Sequence, residues 1–116
     1  MPKLTAHNFS VEVRPSTSEQ IAYTVKGYVT CPTTGWVVTL EPGNEGIDPK
    51  PERAVLDLDA REPTGPEADV VTEEEVTYSG TDDARLQVIE INLGQDITTP
   101  DGDKAIVLQT VVKSAH

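Results

Sequence analysis

An all-β fold is predicted by three observations. β-branched residues dominate the chain, with 14 Val, 6 Ile and 14 Thr against 16 for Ala, Leu and Met together, and such residues favour pleated strands. The 9 Pro and 8 Gly are spread so that no stretch keeps apolar residues at helical spacing for three turns. Short runs of alternating apolar and polar residues recur instead, divided by turn-forming sequences. A length of 116 residues suits one domain, so a single domain over residues 1–116 is expected. Leu, Ile, Val and Phe supply 28 residues, about a quarter of the chain, which is enough for a modest core and above the level that marks disorder.

Phe9, Val11 and Val13 alternate with Ser10, Glu12 and Arg14 until Pro15, which cannot donate to a ladder, giving a half-buried first strand. Ile21, Tyr23, Val25 and Val29 share one parity and define a second strand to about Thr30, with Gly27 marking a bulge. Cys31-Pro32-Thr33-Thr34-Gly35 has turn composition, and residues 36–40 form a third strand that pairs with the second as a hairpin. Residues 41–52, rich in Pro, Gly, Asn and Asp, form a surface loop with Ile47 as its apolar anchor. In the fourth strand, residues 53–59, Ala54, Leu56 and Leu58 face inward, while Val55, Asp57 and Asp59 face water.

Residues 60–66 turn the chain. A fifth strand over residues 69–78 has Val70, Val76 and Tyr78 in phase, and Glu73-Glu74-Glu75 in its middle disturbs the pattern in a way that fits a bent or edge position. Residues 85–92 form a sixth strand of ambiguous inward face, because Leu86 and Val88 oppose Ile89, Ile91 and Leu93 in parity. Pro100-Asp101-Gly102-Asp103 is a turn, and residues 105–113 form a seventh strand in a hairpin with the sixth. Seven short strands with turn signals between them predict an immunoglobulin-like β-sandwich of antiparallel strands, with a small β-barrel as the alternative. The lone Cys31 excludes the disulfide-bridged antibody version.

The balance of 20 acidic against 9 basic residues gives a net charge of −11. Such a chain repels phosphate backbones and anionic lipids, which argues against nucleic acid and membrane partners. No apolar stretch reaches membrane-spanning length and the first residues lack a basic start before a long apolar run, so a cytoplasmic location is expected. The acids are dispersed over loops and polar strand faces. That pattern fits general solubility or adaptation to a salty cytoplasm where self-repulsion is screened.

Few residues carry recognisable chemistry. His7 and His116 are the only imidazoles and lie near the two ends, and pairing His7 with Cys31 as base and nucleophile would need a third, orienting group. Asp96, Asp101 and Asp103, or Asn44, Glu45 and Asp48, could offer hard oxygens to calcium, but neither set has the spacing of a calcium loop. No metal site, cofactor or catalytic residue is therefore assigned, and the chain is read as no enzyme. Glu73 to Glu75 read as an exposed acidic edge, with Arg85 or Arg61 as the cationic partner if one is buried. Trp36, one of only five aromatic residues, is read as a core plug or as a binding anchor.

Pro32-Thr33-Thr34-Gly35-Trp36 resembles the Asn-Pro-Thr-Thr-Gly-aromatic loop of the chagasin-like inhibitors of papain-family cysteine proteases. Those proteins are small immunoglobulin-like sandwiches, and the resemblance implies that Thr33, Thr34, Gly35 and Trp36 would contact a protease cleft. Cys31 stands where that family has Asn, and neither its Gly-rich second loop nor its Arg-Pro-Trp third loop is found; Arg61-Glu62-Pro63-Thr64-Gly65-Pro66 matches the latter without its Trp.

The expected function is that of a non-enzymatic sandwich that binds another protein through loops or a strand edge, in a homo-oligomer or with a different partner. Thr33, Thr34, Gly35 and Trp36 are the candidate contact residues. Protease inhibition through that loop is the alternative, and a calcium-dependent binding module is the third reading.

Overall fold

The structure, a computed structural model, describes residues 3–43, 52–65, 68 and 70–110. Alternation of side chains produces eight strands in chain order: β1 (Leu4–Pro15), β2 (Gln20–Cys31), β3 (Val37–Pro42), β4 (Arg53–Arg61), β5 (Thr72–Asp83), β6 (Val88–Leu93), β7 (Ile97–Thr98) and β8 (Ala105–Gln109). They form two four-stranded sheets, ordered β5-β2-β1-β7 and β3-β4-β6-β8. The fold is an open β-sandwich, and the closed-barrel alternative does not hold. No helix among the described residues is long and apolar enough to cross a membrane.

Period-two patterning builds the core. On β2, Ile21, Tyr23, Val25, Val29 and Cys31 all face inward, and β4 answers from the other sheet with Ala54, Leu56 and Leu58. Ile89, Ile91 and Leu93 of β6 complete the layer, which settles the ambiguous face of that strand. Leu86 is buried as well, just before β6 begins.

β1 carries the one change of phase. Leu4 and Ala6 point into the core, yet further along Phe9, Val11 and Val13 are the inward residues. A bulge between His7 and Ser10 inserts the extra residue, and Asn8 takes up the left-handed conformation at φ 56°. Gly27 lies across from this bulge, so the irregularity expected at Gly27 sits on the facing strand.

Several expectations from the sequence are corrected. β2 and β3 do not form a hairpin, because the chain crosses from one sheet to the other between Cys31 and Val37. Two pairings are parallel, β1 with β7 and β4 with β6, so the sandwich is mixed where an all-antiparallel one was expected. Residues 97–98 add a short strand that two residues of alternation could not announce. Val55, expected on the wet face, is buried, and Gly43 donates its N–H to the Val55 carbonyl at 2.8 Å. β5 begins at Thr72, leaving Val70 outside the strand and exposed. β6 and β8 do pair antiparallel, with β7 visiting the other sheet between them. Ile47 and residues 111–113 lie outside the described residues.

Candidate functional site

Of the four large hydrophobic residues exposed among the described residues, three gather at one end of the sandwich. Val70 and Val71, 56% and 67% exposed, precede β5, and Val37, 55% exposed, opens β3. The connection that joins β2 to β3 holds these segments together. Gly35 adopts φ 87°, a conformation costly for residues with a side chain, and it turns the chain so that Trp36 points inward. Trp36 is only 8% exposed and belongs to the core cluster. Its indole N–H donates to Thr33 Oγ1 at 3.0 Å, the partner that a buried indole requires.

The same connection is stitched to Ala68 and to the start of β5 at Thr72. Thr34 N–H donates to the Ala68 carbonyl and Ala68 N–H donates to Thr34 Oγ1, both at 3.3 Å. Thr72 Oγ1 donates to the Thr33 carbonyl at 3.1 Å. Thr33 and Thr34 are half-buried, and Gly35 alone of the four candidate contact residues is exposed. The result is a braced rim with exposed valines beside it.

The outer face of the β5-β2-β1 sheet carries a polar cluster across three strands. His7 Nε2 lies 2.9 Å from Thr30 Oγ1 and 3.1 Å from Glu73 Oε1, and its ring stacks on Tyr28 with centroids 6.2 Å apart. Tyr28 O–H donates to Glu75 Oε2 at 3.2 Å, which also lies 3.6 Å from Lys26 Nζ. β5 is the acidic edge strand expected from its glutamates; the cation beside Glu75 is Lys26, while Arg85 is held by Asp83 at the far end of the strand. Glu74 is half-buried, in phase with Val76.

The sheet itself separates Cys31 from His7. Cys31 is fully buried on the inner face with Val29, while His7 stands on the outer face with Tyr28 and Thr30, so these two do not meet as nucleophile and base. Burial, with a smaller push from Glu74, raises the Cys31 thiol to about 11 and keeps it protonated. His116 lies outside the described residues.

Among the described residues no three His, Cys, Asp or Glu side chains are placed to share a metal ion. Asp96 takes φ 69° and its carbonyl accepts the Leu4 N–H at 2.9 Å, so that turn serves to set β7 beside β1. Asp101 and Asp103 are exposed. Asn44, Glu45 and Asp48 fall outside the described residues.

Compared with known proteins, the chain matches no family model, no curated protein and no solved structure. The likeness to the protease inhibitors therefore rests on the five residues from Pro32 to Trp36.

Proposed function

We propose that this chain is a non-enzymatic protein-binding module whose contact surface is the end formed by Thr33 to Gly35, Val37, Val70 and Val71. The observation that carries this reading is the gathering of three exposed valines on two segments that brace each other by hydrogen bonds. A rigid, pre-ordered rim loses little conformational freedom on binding, and exposed apolar side chains supply the driving force. Trp36 acts in this account as the plug that sets the rim in place.

Affinity capture from an extract of the source cells tests the reading when the wild type is compared with a Val70→Lys, Val71→Lys double variant. The expected result is a partner held by the wild type and lost by the double variant, with the melting temperature unchanged. Capture of the same proteins by both chains would refute it. A loop that inhibits a papain-like protease has to enter a cleft, whereas Thr33 and Thr34 are half-buried and tied to Ala68 and Thr72. Titration against papain at micromolar concentration is accordingly expected to leave its activity intact.

A further inference from the structure

We propose that the outer edge of β8 is a self-association edge, at which a second copy of this chain adds its own β8 antiparallel about a twofold axis through Val107. This inference rests on the strand ladder and stands apart from the valine rim.

Open strand edges invite pairing, and natural sheets blunt them with charge, proline or bulges. The other edges are blunted. β5 carries Glu73, Glu74, Glu75, Asp82 and Asp83, and β3 ends in Glu41-Pro42. β7 is only two residues long, and the stretch of β1 that it leaves uncovered is broken by the bulge at Asn8, carries Glu12 and Arg14, and ends in Pro15. β8 reads Ala105-Ile106-Val107-Leu108-Gln109, without a charge, a proline or a glycine. Among the described residues it pairs only with β6.

The register says which groups are offered. Leu93 N–H donates to the Lys104 carbonyl at 3.0 Å and Thr110 N–H to the Gln87 carbonyl at 2.9 Å, bracketing the β6–β8 ladder. In an antiparallel pair, hydrogen-bonded positions alternate, so Ile106 and Leu108 also turn their backbone groups toward β6. Ala105, Val107 and Gln109 turn theirs outward. A twofold axis at Val107 then sets Val107 against Val107 and Ala105 against Gln109, all as hydrogen-bonded pairs. Every outward N–H and carbonyl of the strand meets a partner. The strand is self-complementary.

Charge selects the occupant. The chain carries −11, so two copies repel over most of their surface, and the neutral β8 is where they can approach without opposing carboxylates. An extended segment of a basic partner is drawn instead to the glutamates of β5. Val107, 60% exposed, gains a neighbour across the axis, and the half-buried Ile106 and Leu108 are covered on their open side. The contact is short, which places the dissociation constant on the order of 10–100 µM.

Sedimentation equilibrium of the full chain from about 10 µM to 1 mM spans that range. The expected mass rises from one chain to two, and Val107→Lys, which sets two ammonium groups face to face, stays at one chain with an unchanged melting temperature. Val107→Cys is expected to form a covalent dimer under mild oxidation, since Cα atoms of a hydrogen-bonded pair lie about 5.5 Å apart, within disulfide reach. Val37→Cys is expected not to, and the buried Cys31 does not compete. A wild type that stays monomeric throughout, leaving the edge to a strand of another protein, would overturn the proposal. So would a Val107→Lys chain as dimeric as the wild type, or cross-linking no faster at residue 107 than at residue 37.

Discussion

The ring of Phe9 lies flat over the backbone of Gly27 across the β1–β2 ladder, so closely that a Cβ at residue 27 would stand 2.4 Å from ring carbons. This contact explains two oddities of the sequence together. Asn8 supplies the extra residue that swings Phe9 to the inner side of β1, and Gly27 leaves the room that the ring fills.

Gly27→Ala is therefore expected to destabilise the fold by about 1–3 kcal/mol, the usual cost of overpacking, although alanine is the better strand residue. In a Phe9→Ala background the same substitution should cost far less, because the atoms that clash are gone. Urea denaturation of the four chains measures both. Equal costs in the two backgrounds would show that the ring is not what excludes a side chain at residue 27.

Thr33→Val removes the acceptor of the Trp36 indole N–H while keeping the shape of the side chain. A buried donor left without a partner costs about 1–3 kcal/mol. Denaturant midpoints should fall accordingly, and Thr34→Val, whose hydroxyl accepts from Ala68 at the exposed side of the rim, should cost less.

Asp83 accepts hydrogen bonds from the Arg85 side chain and from its backbone N–H, and these hold its carboxyl at about 2 against an ordinary 3.8. A lowered folded-state value means that the pair stabilises the fold above the ordinary range and that this contribution fades as pH falls toward 2. Carboxyl chemical shifts of Asp83 should titrate with a midpoint near that value. In Arg85→Ala the midpoint should rise toward the ordinary range and stop short of it, since the backbone N–H still donates.

The dispersed charge of −11 predicts a melting temperature that climbs from low to molar salt as repulsion between carboxylates is screened. A flat salt response would show that repulsion between these carboxylates does not limit the fold.

Much of the sandwich was legible in period-two alternation. Ile21, Tyr23, Val25 and Val29 on β2, and Ala54, Leu56 and Leu58 on β4, are buried as their parity foretold, because each must face the opposite sheet. The start of β1 escaped notice because the bulge at Asn8 reverses parity midway. The hairpin expected between β2 and β3 failed for a related reason. A turn composition at Cys31 to Gly35 signals reversal of the chain, and it does not say whether the next strand joins the same sheet or the facing one. The candidate site was half legible: Thr33 to Trp36 stood out by residue type. Val70 and Val71 were hidden, since adjacent valines read as strand interior, and their exposure follows from β5 starting only at Thr72.

Docking of a protein partner on the valine rim can be caught covalently. A photo-cross-linking amino acid at position 71, compared with one at position 14 at the far end of β1, tests it most directly. A covalent adduct from the source-cell extract is expected at position 71 and none at position 14. Adducts at position 14 without any at position 71 would contradict it.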